Sequence, residues 1–468
     1  MPYTHYDRLT ALDTTFLDLE TVDVHMHVGS VGIFEPGPLS TADGGIDFDA
    51  ICDLAEAGLR RAPRFRQKLA RVPVSGHPVW VDDERFNLLY HVRHTSLPRP
   101  GDTRTLKRLA GRIMSQKLDR EKPMWELWFV EELEGGKFAV ISKVHHCLID
   151  GISGVDLLAA FMGPDPNYRA DDPHAHRWIP RPRPGGLSML SDELLRRASI
   201  PGRILRGAVS AATHPRAVAD AAAHAASGVA EALASNLTSA SETPFNQTIG
   251  PHRRFDWTRF DLDSVREVKQ KLGGTINDVV LACVAGAVRD YLGGRSDNLD
   301  EIDFRIFVPV STRSDSERGK LGNRVSLLVA RLPVDEADPR RRMARVVEET
   351  RRLKGSDQVK GTNMVEELSD WTATAVLTRF SRLAASRRAY NMVVTNVPGP
   401  AFPVYLSGAK LLTSYPLVPL FSDQALGIAL FSYDGGLHWG FNADWDAVPD
   451  LHTFVEQVEA EFETLRKL

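Results

Sequence analysis

Two adjacent histidines open a short segment whose residue types suit proton transfer. It runs from His145 and His146 through Cys147 to Asp150 and Gly151. An imidazole with a pKa near neutrality takes a hydroxyl proton as the oxygen attacks an acyl carbon. Because successive side chains of a strand alternate between faces, one histidine is predicted to face a reaction channel and the other to pack inward. Asp150 is predicted to fold back and orient the loop.

Three other interpretations of this segment compete with a general base. The two histidines and Asp150 could bind a metal ion, but neighbouring side chains on a strand diverge and do not easily chelate one ion. Cys147 could be a nucleophile beside a base, but in an extended segment its side chain points away from His146. The histidines could also be purely structural. We expect no metal site.

Strands and helices alternate around the histidine segment. Apolar residues 125–130 and 138–144 are separated by Gly135-Gly136, which predicts two neighbouring strands, the second leading directly into the histidines. Other apolar periodicities predict a strand through Val24, Met26 and Val28, a helix over 48–59 capped by Asp47, and helices over 106–114 and 155–161.

The second half of the chain repeats this alternation. The predicted elements are an apolar helix opened by Thr275-Ile276-Asn277-Asp278, strands over 302–310, 325–332 and 392–397, a charged helix over 340–353, a hairpin of strands 426–433 and 437–442, and a last helix over 451–462. A chain of 468 residues exceeds the usual size of one core. We therefore predict an α/β protein with layered domains over 1–163 and 251–468.

Residues 164–250 are predicted to connect the two domains. Their first part is rich in Pro, Asp and Arg and is typical of a linker. Residues 187–240 are rich in Ala with scattered Arg and are predicted to form two or three helices. Such a basic and apolar mixture could rest on an anionic membrane surface, or the segment could be a plain connector packed on its own protein.

Composition limits the partners and the location. A net charge of −4 gives no basic field, so nucleic acid is not an expected partner. Three well-separated cysteines favour a reducing compartment. The first residues show no signal peptide, and the longest apolar run, 279–288, is too short to span a bilayer. We expect a cytoplasmic protein whose membrane contact is peripheral.

The histidine segment and six further blocks resemble the bacterial wax ester synthase/diacylglycerol acyltransferase family, whose motif is HHxxxDG. Nearly the entire chain takes part in the resemblance. One block, Pro123-Met124-Trp125-Glu126, has Met where the family has Leu, a volume-conserving change. The other blocks are 9–16 (LTALDTTF), 275–279 (TINDV), 308–313 (VPVSTR), 322–326 (GNRVS) and 395–400 (TNVPGP).

The resemblance implies a fold and a reaction. The fold would be similar to the two-domain CoA-dependent acyltransferases, a layered sandwich with the active-site channel between the domains. His146 would deprotonate the hydroxyl of a diacylglycerol or fatty alcohol, which would attack acyl-CoA directly and release CoA. Asp150 would be structural. Acyl-CoA would be a co-substrate with no further cofactor, and the protein would lie on a membrane or lipid droplet.

The remaining blocks contain candidate substrate-binding residues. Asp278 is predicted either to form a capping box with Thr275 or to contact the channel. Ser311 and Thr312 could donate to a developing oxyanion or cap a strand. Asn396 is predicted to fix a rigid turn with the following Pro398-Gly399-Pro400. The full set of candidates is Asn277, Asp278, Ser311, Thr312, Asn323 and Asn396, and Arg313 could pair with Asp150.

Two other functions share features with this chain. One is a condensation-type acyltransferase that uses a carrier-protein thioester, since such domains share HHxxxDG and a related fold. It is disfavoured because no carrier or adenylation region accompanies the motif. The other is a lipid-binding or droplet-coating protein without chemistry. The intact His146, Asp150 and Gly151 argue against it. The acceptor itself, diacylglycerol or long-chain alcohol, is not indicated by the sequence.

Overall fold

The computed structural model describes residues 6–42, 44–148, 161–167, 178–196, 239–295, 298–311, 325–354 and 389–468. Within these residues the chain forms two six-stranded sheets and one three-stranded sheet, with helices packed against them, which confirms the predicted α/β class. The strands are β1 Asp7–Arg8, β2 His27–Phe34, β3 Gln67–Arg71, β4 Pro78–Asp82, β5 Val92–Ser96, β6 Trp125–Leu133, β7 Lys137–His145, β8 Arg253–Asp261, β9 Phe304–Ser311, β10 Val325–Leu332, β11 Met392–Pro398, β12 Tyr405–Leu406, β13 Ala409–Leu417, β14 Leu426–Tyr433 and β15 Gly436–Asp444. The helices are α1 Ala11–Leu19, α2 Phe48–Arg61, α3 Leu88–His91, α4 Thr103–Met114, α5 Leu262–Leu272, α6 Ile276–Gly293, α7 Pro339–Lys354 and α8 Leu451–Lys467, and residues 186–196 are also helical.

The first six-stranded sheet carries the histidines. Its strand order is β12-β13-β2-β7-β6-β5. Strands β6 and β7 form the predicted antiparallel hairpin, and Gly135 and Gly136 turn the chain with φ of +78° and +66°. Strand β7 also pairs with β2, so that His27 lies directly opposite His145. The β2–β7 pairing therefore brings the N-terminal residues beside the motif.

The second six-stranded sheet has the order β10-β9-β11-β14-β15-β8. Strand β11 runs parallel to both β9 and β14. Because parallel strands end at the same edge, Ser311 at the end of β9 and Asn396 near the end of β11 lie along one edge of this sheet. Helix α6 is buried along most of its length and forms the centre of this core.

Elements of the C-terminal half also join the first sheet, and the domain boundaries at 163 and 251 stay a prediction. Strands β12 and β13 come from the C-terminal half but join the first sheet, where β13 pairs with β2. The described ends of the connector are divided between the halves. Phe245 packs in the C-terminal core, whereas Met189 packs against Val79 of the N-terminal half.

One predicted strand is wrong at its start. Strand β2 begins at His27, so Val24 and Met26 precede it. Both side chains are buried in the core cluster of the C-terminal half. Their apolar alternation therefore arises from burial against the other half, and no sheet pairing produces it. The predicted helix over 155–161 lies outside the described residues except for Phe161, which is buried.

Among the helices that the structure describes, none is by itself long and apolar enough to cross a membrane. Helices α5 and α6 pass that test only as a pair, bent by 90°.

Candidate active site

The two histidines of the motif occupy different environments because the strand ends between them. His145 is the last residue of β7, and His146 begins a short 3-10 turn that runs to Leu148. The His145 side chain is fully buried, whereas His146 is only half-buried. The backbone N–H of His146 donates to the carbonyl oxygen of Met26 at 2.7 Å. The inward-packing histidine is therefore His145.

His146 lies where the two halves meet. Its ring stacks on Phe16, with ring centroids 3.9 Å apart and planes inclined by 27°. Phe16 in turn packs against both the N-terminal and the C-terminal core clusters. Desolvation lowers the pKa of His146 from its ordinary 6.5 to about 4. At neutral pH its imidazole is therefore uncharged and has a lone pair to accept a proton.

His145 faces the protein interior and contacts the backbone of the turn. Its Nδ1 accepts a hydrogen bond from the backbone N–H of Cys147 at 3.2 Å. Its Nε2 lies 3.8 Å from Oε1 of Glu20. Desolvation first, and then the charge of Arg120, lower its pKa to about 3. The ring is therefore neutral, and its hydrogen bond with the Cys147 N–H holds the turn.

Glu20 is a residue of this site that no sequence pattern indicated. It directly follows α1, and its carboxylate is fully buried. Arg120 donates to its Oε2 from Nε at 2.8 Å and from Nη2 at 2.6 Å. An acid just after a helix is normally solvated, so the only available signal was its place four residues after the end of the N-terminal block 9–16. The Lys117 ammonium lies 3.7 Å from Oε2, and Nε2 of His27, whose pKa burial lowers well below its ordinary value, lies 3.6 Å from Oε1.

Cys147 is unsuited to covalent catalysis. The chain at this point is a 3-10 turn, which corrects the expectation of an extended segment. The side chain is nevertheless fully buried, and burial raises the pKa of the thiol well above its usual range. A nucleophilic cysteine needs a thiolate, which this environment disfavours. Across the described ranges, no group of His, Cys, Asp and Glu side chains is arranged to hold a metal ion.

The predicted helix start at Thr275 is a capping box. Thr275 accepts from the backbone N–H of Asp278, and the Asp278 carboxylate accepts from the backbone N–H of Thr275. The other carboxylate oxygen accepts from the Thr350 hydroxyl at 2.7 Å, which ties α6 to α7. The capping role of Asp278 is therefore confirmed. Its direct contact with substrate stays a prediction.

Two other candidates from separate blocks lie in contact. Asn396 donates from Nδ2 to Oδ1 of Asn277 at 2.7 Å, across 119 positions of sequence. Asn277 is exposed at the start of α6, and Asn396 is half-buried on β11. The contact links the helix to the edge of the second sheet. Ser311 ends a neighbouring strand, whereas Asp150, Gly151, Thr312, Arg313 and Asn323 lie outside the described residues.

Comparison with known proteins assigns most of the chain to one family. Residues 9–280 match the wax ester synthase/diacylglycerol acyltransferase catalytic domain, and residues 321–466 match the C-terminal domain of the same proteins. The chain belongs to this family. A Mycobacterium tuberculosis relative named "probable diacylglycerol O-acyltransferase" is 33% identical over 465 residues, which cover 97% of this chain and 94% of the relative.

Solved structures extend the family assignment to the fold. The wax ester synthase/diacylglycerol acyltransferase of Marinobacter aquaeolei is similar with a TM-score of 0.68 and 27% identity, covering 99% of this chain and all of that one. The trichothecene 15-O-acetyltransferase of Fusarium sporotrichioides shares only the fold, with a TM-score of 0.62 and 11% identity, covering 99% of this chain and 95% of that one. The two-domain acyltransferase-like fold is therefore confirmed.

Proposed function

We propose that this protein is an acyl-CoA-dependent O-acyltransferase that transfers a fatty acyl group to diacylglycerol and also to long-chain alcohols. The products are triacylglycerol or wax ester and free CoA. The observation that carries the proposal is the position of His146, a neutral imidazole at the junction of the two halves. The family assignment and the diacylglycerol acyltransferase relatives support the choice of substrates.

The proposed mechanism moves one proton through His146 and releases CoA as the leaving group. The His146 imidazole takes the proton of the acceptor hydroxyl as its oxygen bonds to the acyl carbon of acyl-CoA. The carbon–sulfur bond then breaks, and the CoA thiolate leaves with its electron pair and takes up the proton from the imidazolium. The reaction consumes one acyl-CoA and one alcohol and produces one ester and one CoA thiol. No metal or further cofactor enters this scheme.

A turnover assay with two acceptors tests the proposal. The purified protein is given one labelled acyl-CoA with diacylglycerol, with a long-chain alcohol, and with both together, while CoA thiol and labelled ester are measured. We expect equal amounts of CoA and ester with either acceptor. A protein that accepts acyl groups only from a carrier-protein thioester would support the condensation-type alternative. Binding of acyl-CoA without turnover would support the lipid-binding alternative.

We also propose that the protein works in the cytoplasm at a membrane or lipid-droplet surface. Its substrates are lipids, and the helix over 186–196 leaves Leu187, Leu194 and Leu195 exposed by 85%, 60% and 68%. Met189 of the same helix packs inward, whereas these leucines belong to none of the core clusters formed by the described residues. Exposed leucines on an amphipathic helix are suited to the interfacial region of a lipid surface.

Vesicle binding tests the lipid contact. Changing Leu187 and Leu194 to Ser should reduce the fraction of protein that sediments with anionic vesicles. A second variant replaces Arg196, Arg197, Arg203 and Arg206 by Gln and should reduce the part of this binding that salt releases. Of these arginines only Arg196 is described, and it pairs with Glu193 at 3.0 Å. The matched control is Phe402→Ser, which removes another exposed apolar side chain. Binding unchanged in both variants would make the segment a plain connector.

A further inference from the structure

The carboxylate of Glu20 has one satisfied and one unsatisfied oxygen. Arg120 supplies two hydrogen bonds to Oε2. Oε1 is buried and has no hydrogen-bond partner among the described residues. The side chain is completely shielded from solvent, so water outside the protein does not compensate. A buried carboxylate oxygen in this state calls for a donor close by.

The position of Glu20 is electrostatically unfavourable for helix α1. It is the C-cap residue, where the negative end of the helix dipole disfavours an acid. Arg120 and Lys117 offset this cost on the side of Oε2. A carboxylate nearer to solvent could form the same ion pairs with Arg120 and Lys117. The burial of Glu20 beside the histidine motif therefore needs another reason.

His145 has the matching unsatisfied donor. Its Nδ1 accepts the backbone N–H of Cys147, so the proton of the neutral ring is on Nε2. That nitrogen is buried, has no hydrogen-bond partner in the described part of the chain, and lies 3.8 Å from Oε1 of Glu20. His27 is also near, but its Nε2 accepts from the backbone N–H of Leu118 at 3.4 Å. His145 is thus the ring that has an N–H for Glu20.

We propose that Glu20 is a positioning residue that holds the Nε2–H of His145 and thereby the turn that presents His146. The inference rests on the proposed function for the role of His146. Glu20 fixes which nitrogen of His145 carries the proton. With the proton on Nε2, Nδ1 remains an acceptor for the Cys147 N–H and closes the turn that begins at His146. With the proton on Nδ1, two N–H groups would face each other and the turn would loosen.

The tautomer of His145 is the first test, and it needs no activity. Nitrogen-15 NMR of the wild-type protein with labelled histidine distinguishes Nδ1–H from Nε2–H rings, and the signals lost in His145→Gln identify this residue. We expect His145 to carry its proton on Nε2 at pH 7. A ring protonated on Nδ1, or on both nitrogens, would overturn the proposal even if the enzyme is fully active. An inactive wild type with the Nε2–H ring would instead contradict the proposed function.

Glu20→Gln is the second test. The amide oxygen is drawn to Arg120, which leaves the NH2 group facing His145. The His145 proton should then move to Nδ1, and the Cys147 N–H bond should be lost. Because the turn that presents His146 is displaced, kcat should fall by about 10-fold to 100-fold, while KM for acyl-CoA changes less than about 2-fold.

Glu126→Gln is the matched control. Glu126 is also buried, on β6 of the same sheet, and pairs with Arg93 and Lys143 at 3.0 and 3.5 Å. This variant should lose stability but keep the His145 tautomer and kcat within about 2-fold. A Glu20→Gln protein with an unchanged tautomer or unchanged kcat overturns the proposal, and so does an equal loss of kcat in Glu126→Gln. If Glu20→Gln does not fold, the wild-type tautomer decides.

Discussion

The ring of His146 rests on the ring of Phe16, with 3.9 Å between their centroids. Phe16 contacts the cores of both halves, so this stacking places the proposed base at their junction. The aromatic face also excludes water from one side of the imidazole. Burial lowers the pKa of His146, and the stacked ring of Phe16 is part of the apolar surroundings that bury it.

Phe16→Leu should move the pH dependence of catalysis. Better hydration of His146 raises its pKa from about 4 toward its ordinary 6.5. Since the base works only when unprotonated, kcat/KM of the wild type should be flat from pH 8 to about 5, whereas that of the variant should already fall below about 6. The matched control is Phe48→Leu, because Phe48 is also half-buried and stacks on a histidine, His94, at 4.8 Å. The same acid limb in all three proteins would refute this role of Phe16.

Acid should destabilise the protein before its carboxylates titrate. Burial lowers the pKa of His91, His146 and His438 to about 4 and that of His145 to about 3. The unfolded chain binds these protons first, so the stabilisation is complete above pH 6.5 and is lost as the pH falls through about 4. Each such histidine adds about 1.4 kcal/mol per pH unit to the slope.

Urea unfolding at several pH values between 7 and 4.5 measures that slope. His91→Asn should reduce it by up to about 1.4 kcal/mol per pH unit. His91 is buried, and the asparagine amide keeps a donor for the Trp125 carbonyl oxygen that Nδ1 contacts at 2.9 Å. A free energy of unfolding that is constant down to pH 5 would contradict the burial of these histidines.

The contact between Asn277 and Asn396 should be directional. Asn277 supplies the acceptor oxygen, so Asn277→Asp keeps the hydrogen bond and should retain most activity. Asn396→Asp places two oxygens against each other. This variant should have a lower kcat, and its free energy of unfolding should fall by about 1–3 kcal/mol. Melting temperature and kcat of the two variants check this. Equal behaviour of both variants would mean that the contact does not shape the site.

Cys147→Ala should keep most of the activity, because direct transfer needs no thiolate. The buried thiol is held in its protonated form by desolvation. Initial rates should show a ternary-complex pattern, and intact mass after incubation with acyl-CoA alone should show no acylated protein. An inactive but folded Cys147→Ala, together with an acyl group on Cys147 in the wild type, would establish a covalent route instead.

Local signals were enough for the parts of the fold that depend on neighbours in sequence. The capping box of Thr275 and Asp278 spans three positions, and its residue types are specific to a helix start. The β6–β7 hairpin likewise follows from Gly135-Gly136 between two apolar runs. Such elements are determined by backbone propensity and short-range hydrogen bonds, which sequence patterns report directly.

The long-range features could not be predicted in the same way. Glu20 approaches His145 only because α1 packs against the turn that follows β7, and β13 joins the first sheet only because the chain crosses between the halves. Val24 and Met26 suggested a strand, since alternation is identical whether a sheet or another domain buries the residues. Pairings of this kind depend on topology, which the residue types at either end do not encode.

Replacement of the proposed base tests the account most directly. His146→Gln retains a polar side chain of similar size that does not accept a proton. General-base catalysis contributes about 10²–10⁴-fold, so kcat with acyl-CoA and diacylglycerol should fall at least about 100-fold while the melting temperature stays close to that of the wild type. His145→Gln should lose less activity, or lose it together with stability. A folded His146→Gln protein that retains more than about a tenth of the wild-type kcat would contradict the assignment of His146 as the base.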